Sequence, residues 1–201
     1  FNKYCKINIY ILMKLKISKF MKVQSTNTKA INLIRENKLQ PRLIVAKKQT
    51  KGKGTMGKKW VSKAGNLFIS IYFDLSINSI KSKEISILNP YIVRNILKKY
   101  CVKKIKIKWP NDLLIEGKKI CGILQEVISF NNKNYLIIGI GINTAHSPIN
   151  KDFKSASLVE YSGKKVKNMQ ILNDIKLSYE KFISDIRKYK FLKLKKKIIK
   201  N

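Results

Sequence analysis

Two stretches carry residue types that suit the handling of an anion. The first, 47-KKQTKGKGTMGKKW-60, packs three glycines and six lysines into fourteen residues and closes on a tryptophan. Glycine lets backbone N–H groups approach an anion closely, and the lysines surround them with positive charge, so 52-GKGTMG-57 suits a phosphate or a carboxylate. It is not a P-loop: that pattern needs Ser or Thr directly after Gly-Lys, and Lys59 stands there. The dinucleotide fingerprint also fails, because no helical pattern follows Gly57. Taken alone, the stretch reads as a solvated loop.

The second stretch is 107-IKWPNDLLIEGKKICGILQE-126. Pro110 fixes the backbone at a strand-to-turn transition, which sets Asn111 and Asp112 at a strand junction where polar side chains can enter a cleft. Lys119 lies seven residues beyond Asp112, across a hairpin, so the two can meet on adjacent strands. Gly122 then leaves room for a ligand against bare backbone. The residues alone leave a plainer reading open, with Asp112 capping a turn and Lys119 on the surface.

The elements that must position these groups are legible as periodicity. Residues 28–37 predict a short helix with Ala30, Ile31 and Ile34 inward and Asn27 or Thr28 as its cap. Residues 42–48 and 67–74 predict strands, with the glycine loop between them. Asn89-Pro90 reads as a cap and first helical residue, opening a helix to about Tyr100. Strands follow at 104–109, 112–117, 118–128 and 134–143, turning at Glu116-Gly117 and Asn131-Asn132. A last amphipathic helix spans about 168–189, and 191–201 reads as a frayed basic tail. The expected class is α+β with a mixed or mostly antiparallel sheet flanked by helices.

Composition bounds the partners. The chain has 201 residues, enough for one domain with a core. Lys and Arg number 44 against 11 acidic residues, a net charge of +33. Such charge is a nucleic-acid signal. However, it is nearly all lysine, spread along the chain, in a sequence also rich in Ile and Asn, the three together marking A/T-rich codons. Scarce arginine weakens base readout by bidentate forks, and a positive surface equally suits an acidic protein partner. Three cysteines (Cys5, Cys101, Cys121) form no metal spacing and predict a reducing, cytoplasmic compartment. Residues 7–13 are apolar but too short to span a bilayer, so no membrane association is expected.

Five motifs in order, 25-STN-27, 49-QTKGKGTMGKKW-60, 108-KWPND-112, 118-KKICGIL-124 and 139-GIGIN-143, resemble the catalytic domain of the biotin–protein ligases (biotin–[acetyl-CoA-carboxylase] ligases). The resemblance covers about residues 21 to 190. It implies a fold similar to the core of class II aminoacyl-tRNA synthetases and to the biotin–lipoate ligase catalytic fold. The implied reaction has two steps: biotin's carboxylate attacks the α-phosphate of ATP to give biotinyl-5′-AMP, and a lysine of biotin carboxyl carrier protein then takes the biotinyl group. ATP and biotin are implied as substrates, with Mg2+ bridging the ATP phosphates.

The resemblance also implies residue roles. Ser25, Thr26 and Asn27 line the biotin end, Gln49 contacts the ureido ring, and Gly52, Lys53, Gly54 and Thr55 close over biotin and phosphate. Lys119 bridges the biotin carboxylate and the α-phosphate, and Gly122 passes beside the bicycle. Trp60 stacks on adenine, with core packing as its plainer role, and Asn143 hydrogen-bonds the base. Asn111 and Asp112 position phosphate and magnesium or assist the incoming amine; Lys108, beside them, is counted with the ATP site. No protein metal ligands are assigned. Catalysis is expected of Lys119, Asp112, Asn111 and Lys53.

This sequence departs from the family loop, which usually reads Gly-Arg-Gly-Arg-x-Gly. Lys53 keeps a charge without a fork, and Thr55 removes one, which predicts an adenylate held less tightly. Gln24 stands where Asp is common, which puts little in doubt. Residues 1–20 are expected to be an extension too short for the winged helix of some members, so no DNA binding is expected. The SH3-like C-terminal domain is expected to be absent, which predicts reduced activity or dependence on a homodimer. The rival readings are lipoate–protein ligase, the same chemistry on a related fold, and a basic RNA-binding protein, which needs aromatics interleaved with its lysines.

Overall fold

The computed structural model describes residues 13–76, 80–149, 153–163 and 166–200. Seven strands form one sheet: β1 (Lys16–Val23), β2 (Arg42–Gln49), β3 (Leu67–Asp74), β4 (Ile105–Lys108), β5 (Asp112–Ile115), β6 (Lys118–Phe130) and β7 (Lys133–Ile142). Their spatial order is β1-β2-β3-β7-β6-β5-β4. β1 and β2 run parallel and every other neighbouring pair is antiparallel, so the expected mixed sheet is found. Strands β1 and β4 form its two edges.

Among the described residues, four α-helices flank the sheet: α1 (Thr26–Arg35), α2 (Ser82–Leu97), α3 (Asn168–Ile186) and α4 (Phe191–Ile199). Alternation along the central strands divides the faces. On β3, Leu67, Ile69, Ile71 and Phe73 enter the larger core with Leu136, Ile138, Ile140 and Ile142 of β7 and the buried stripes of α2 and α3. Tyr72, Tyr135 and Ile137 point the other way, against Ala30, Leu33 and Ile34 of α1. The second face also carries the glycines and polar groups of the site.

Both expected hairpin turns form. Glu116 and Gly117 have φ of 50° and 76°, and Asn131 and Asn132 have φ of 49° and 56°, the positive pair that a two-residue turn requires to match strand twist. Several expectations are corrected. The first helix starts at Thr26 with Ser25 as N-cap residue, two residues before the expected start, which brings Ser-Thr-Asn into its cap and first turn. Asn89-Pro90 does not open a helix: α2 begins at Ser82, with Pro90 inside it. The apolar stripe Ile85, Leu88, Ile92, Val93 and Ile96 runs straight through the proline, so burial outweighs the lost hydrogen bond. The reach-back of the Glu84 carboxylate to the Lys81 N–H (2.8 Å) marks the true start.

Strand β1 was not expected; its lysines hide the alternation. It begins within the presumed 1–20 extension and runs past it to Val23; residues 1–12 are outside the described residues. The basic tail is helix α4, held by Leu194, fully buried in the larger core, and by an ion pair of Lys197 with Asp185 at 2.7 Å. Among the described residues, no helix is long and apolar enough to cross a membrane.

Candidate active site

The site is built on the α1 face, where two glycine-bearing strands leave a floor of bare backbone. On β7, Gly139 and Gly141 share one face; Gly141 pairs in register with Gly122 of β6. The Trp60 indole lies on this floor: a Cβ built on Gly141 would fall 2.5 Å from Trp60 Cε2, and one on Gly122 would fall 2.7 Å from Cζ3. The Trp60 indole N–H, shielded from solvent, has no hydrogen-bond partner among the described residues. Gly139 makes the same allowance for the Asn27 side chain.

A bulge in β6 delivers Lys119 to this floor. In register, Asp112 faces Gly122, Leu113 faces Cys121 and Leu114 faces Lys119, so Ile120 is the extra residue. Ile120 and Cys121 both enter the larger core. Regular alternation would set Lys119 and Gly122 on opposite faces; the extra residue puts them on one. There the Lys119 Nζ stands 2.7 Å from Asp112 Oδ1, both side chains largely buried. The Trp60 and Phe153 rings lie on either hand, 5.4 Å and 4.8 Å from ring centroid to Nζ. Burial in the core on the opposite face pushes the Cys121 thiol pKa up, with the Asp112 charge adding to the rise.

The other wall comes from α1 and the loop. Thr26 donates twice to Gln49 Oε1, from its backbone N–H (2.8 Å) and its hydroxyl (3.1 Å). This turns the Gln49 amide nitrogen to the Ser62 hydroxyl at 2.9 Å. Ser25 is buried, and its side chain makes no capping bond. The glycine loop closes on itself: Gly54 N–H donates to Lys58 O, Trp60 N–H donates to Gly52 O, and Lys53 pairs with Lys59. Thr55–Gly57 make one 3-10 turn in which Met56 has a φ of 52°. Gly52 is buried, and a Cβ there would meet Trp60 O at 2.5 Å.

A narrow cleft results, lined by Ser25, Thr26, Asn27, Gln49, Lys53, Gly54, Trp60, Lys119 and Gly122 among others. Sequence reasoning named all nine. Gly52 and Thr55 support the loop behind it, and Asp112 reaches the cleft through Lys119. Three residues stand elsewhere. Lys108 is exposed on edge strand β4, opposite Asp112. The Asn111 amide donates to Ile123 O at 3.0 Å. Asn143 is buried, its amide donating to Lys119 O (3.3 Å) and Ala156 O (3.1 Å). Both asparagines brace the strand carrying Lys119.

Sequence reasoning did not assign Phe153, Ser70, Glu126 or the two β7 glycines. The alternation Gly139-x-Gly141 within a run of isoleucines was the available signal for a one-sided bare floor. The doubled apolar pair Ile120-Cys121 was the signal for the bulge. Among the described residues, no three His, Cys, Asp or Glu side chains cluster as a metal site would need.

A helix N-terminus, a glycine floor and a lysine–aspartate pair under a glycine–lysine loop thus lie on one face of the sheet of an α+β domain. The chain belongs to the Biotin/lipoate A/B protein ligase family, whose profile residues 19–143 match. It is 33% identical over 181 residues to the bifunctional ligase/repressor BirA of Bacillus subtilis (strain 168), an alignment covering 86% of this chain and 55% of that protein. The chain thus spans about half the length of the curated relatives it matches. Among solved structures it resembles the Aquifex aeolicus biotin protein ligase in complex with biotin and ATP, with a TM-score of 0.75 and 27% identity, covering 91% of this chain and 76% of that one. It also resembles the Leishmania major biotin protein ligase in complex with biotinyl-5-AMP, with a TM-score of 0.73 and 25% identity, covering 92% and 81%.

Proposed function

We propose that this chain is an ATP-dependent biotin–protein ligase that forms biotinyl-5′-AMP and transfers biotin to a lysine of biotin carboxyl carrier protein. The observation that carries this reading is the Lys119–Asp112 pair held at 2.7 Å over the Gly122–Gly141 floor, with family membership and the named relatives supporting it. A free carboxylate is a poor acylating agent, and adenylation supplies its leaving group. In the first step an oxygen of the biotin carboxylate bonds to the α-phosphorus as the bond to pyrophosphate breaks. In the second, the acceptor amine bonds to the acyl carbon, AMP leaves, and the nitrogen gives up a proton.

Both steps bring anions together, and the site's contribution is fixed charge and position. Lys119, aimed inward by its bulge and steadied by Asp112, is the cation between carboxylate and phosphate; a compact ammonium suits that place. Lys53 brings a second charge on the loop. Thr26 and Gln49, already bonded to each other, present the polar wall for the ureido end. Magnesium is proposed to arrive with ATP. Asp112, the carboxylate paired with Lys119 beside the cleft, alongside nucleotide phosphates is the kind of donor set this ion accepts, and once bound the ion would supply neutralisation of phosphate charge. The cysteine usage supports a cytoplasmic setting. The proposed partner is the carrier domain, with no DNA or membrane; a homodimer remains part of the proposal.

The test is incubation with ATP, magnesium, biotin and a carrier domain, followed by a streptavidin blot. Wild-type protein should label the carrier, and Lys119→Ala should abolish the signal. Labelling that persists at wild-type rate in Lys119→Ala would sink the assignment. Titration with biotin and lipoate separates the lipoate rival, which the biotin relatives do not favour.

A further inference from the structure

We propose that Glu126 is a positioning residue for biotin recognition, acting through Asn27 and Ser70 to lock the first turn of α1 onto the cleft floor; the proposal rests on the biotin–protein ligase reading above. Glu126 follows Gly122 and Leu124 at two-residue intervals on β6, so all three share the cleft face. Its Oε2 accepts a hydrogen bond from Asn27 Nδ2 at 2.6 Å. Asn27, 2% exposed, accepts in turn from the Ser70 hydroxyl of β3. Gly139 of β7 leaves the space in which this amide sits. Four elements therefore meet at one asparagine that the glycine floor admits.

The chemistry fixes the direction of this chain. A carboxylate only accepts, so the Asn27 nitrogen must face Glu126 and its oxygen must face Ser70. A bond to a charged acceptor is also about twice as strong as a neutral one. Asn27 directly follows Thr26, whose N–H and hydroxyl both converge on Gln49 Oε1. A turn free to shift would misalign the Thr26–Gln49 pair, which lines the cleft. Lys119 takes no part in this chain, being paired with Asp112 instead. The anchor therefore governs recognition of the acid's body, while adenylation geometry is set elsewhere.

Three variants test this by biotin-dependent ATP–pyrophosphate exchange, by thermal melting and by NMR of the Asn27 side-chain amide. Glu126→Ala should raise the KM for biotin about tenfold, the loss of one charge-assisted hydrogen bond, with kcat and the KM for ATP held within about twofold. Glu126→Gln keeps an acceptor and should recover most of the loss. Glu126→Ala in an Asn27→Ala background should add nothing, because both act through one bond. An unchanged biotin KM, or biotin and ATP KM values rising together in step with a lowered Tm, overturns the proposal. The NMR arm needs no substrate: Glu126→Ala should shift the Asn27 amide protons strongly, and their staying in place overturns the anchor. If wild-type protein neither binds biotin nor exchanges, the functional reading fails and this arm alone decides the anchor.

Discussion

Gly141→Ala adds a single methyl to the cleft floor. Its carbon would stand 2.5 Å from Trp60 Cε2 and 2.7 Å from Nε1. Carbon atoms in contact prefer about 3.5–4.0 Å, so the indole must retreat by roughly 1 Å. Forced overpacking costs about 1–3 kcal/mol, and replacing a strand glycine returns roughly 0.5–1 kcal/mol of unfolded-chain entropy. Trp60 sits at the end of a loop and can give way, so the net loss of stability should fall at the low end, about 1 kcal/mol. Function should suffer far more: a misplacement of about 1 Å among positioned groups costs on the order of 100-fold in rate. The chain's two tryptophans are Trp60 and Trp109, so in a Trp109→Phe background the emission reports Trp60 alone. Gly141→Ala should redden that emission and increase acrylamide quenching, with a small drop in Tm and a large drop in pyrophosphate exchange. Unaltered emission with full activity would refute the placement of Trp60 on the floor.

Gly52→Ala should be worse for folding, because its Cβ would meet the Trp60 carbonyl at 2.5 Å and backbone cannot rotate away; a Tm no lower than that of Gly141→Ala would contradict this. Thr55→Arg should slow dissociation of biotinyl-AMP by about tenfold, through one added charge-assisted contact; equal off-rates in a chase experiment refute it. Burial raises the Cys121 and Tyr179 pKa values, and burial with the Asp174 hydrogen bond lifts Tyr100 to about 12. The folded chain therefore keeps protons that the unfolded chain loses. Stability should be full below the ordinary thiol value of 9.0 and should fall as pH rises beyond it. A Tm that does not fall from about pH 8 to about pH 11 opposes this. A net charge of +33 also predicts that added salt raises Tm by screening self-repulsion.

How much of this could be read beforehand follows the physics of each element. Strands such as Leu67–Asp74 are buried on both faces, and their β-branched runs declare themselves. The turns at Glu116-Gly117 and Asn131-Asn132 are local, so their chemistry is visible in two letters. The start of α2 was misplaced because Asn89-Pro90 has the local grammar of a helix start, whereas the stripe from Ile85 to Ile96 is satisfied only by packing against other elements. β1 was missed because an edge strand buries little and can be written in lysines. Motif residues placed the cleft, since glycine and lysine types limit what can touch an anion. The partners of Asn27 were hidden: Ser70 and Glu126 lie 43 and 99 residues away, and no local pattern joins them.

The two outer strands of the sheet have a further consequence. Lys16, Lys19 and Lys22 stand along β1, and Lys106 and Lys108 along β4. Copies meeting border to border would bring rows of ammonium groups within one strand spacing, about 4.8 Å, a juxtaposition that like charges resist. A surplus of lysine that invites comparison with nucleic-acid binders thus gives this chain a guard against polymerising through its own sheet.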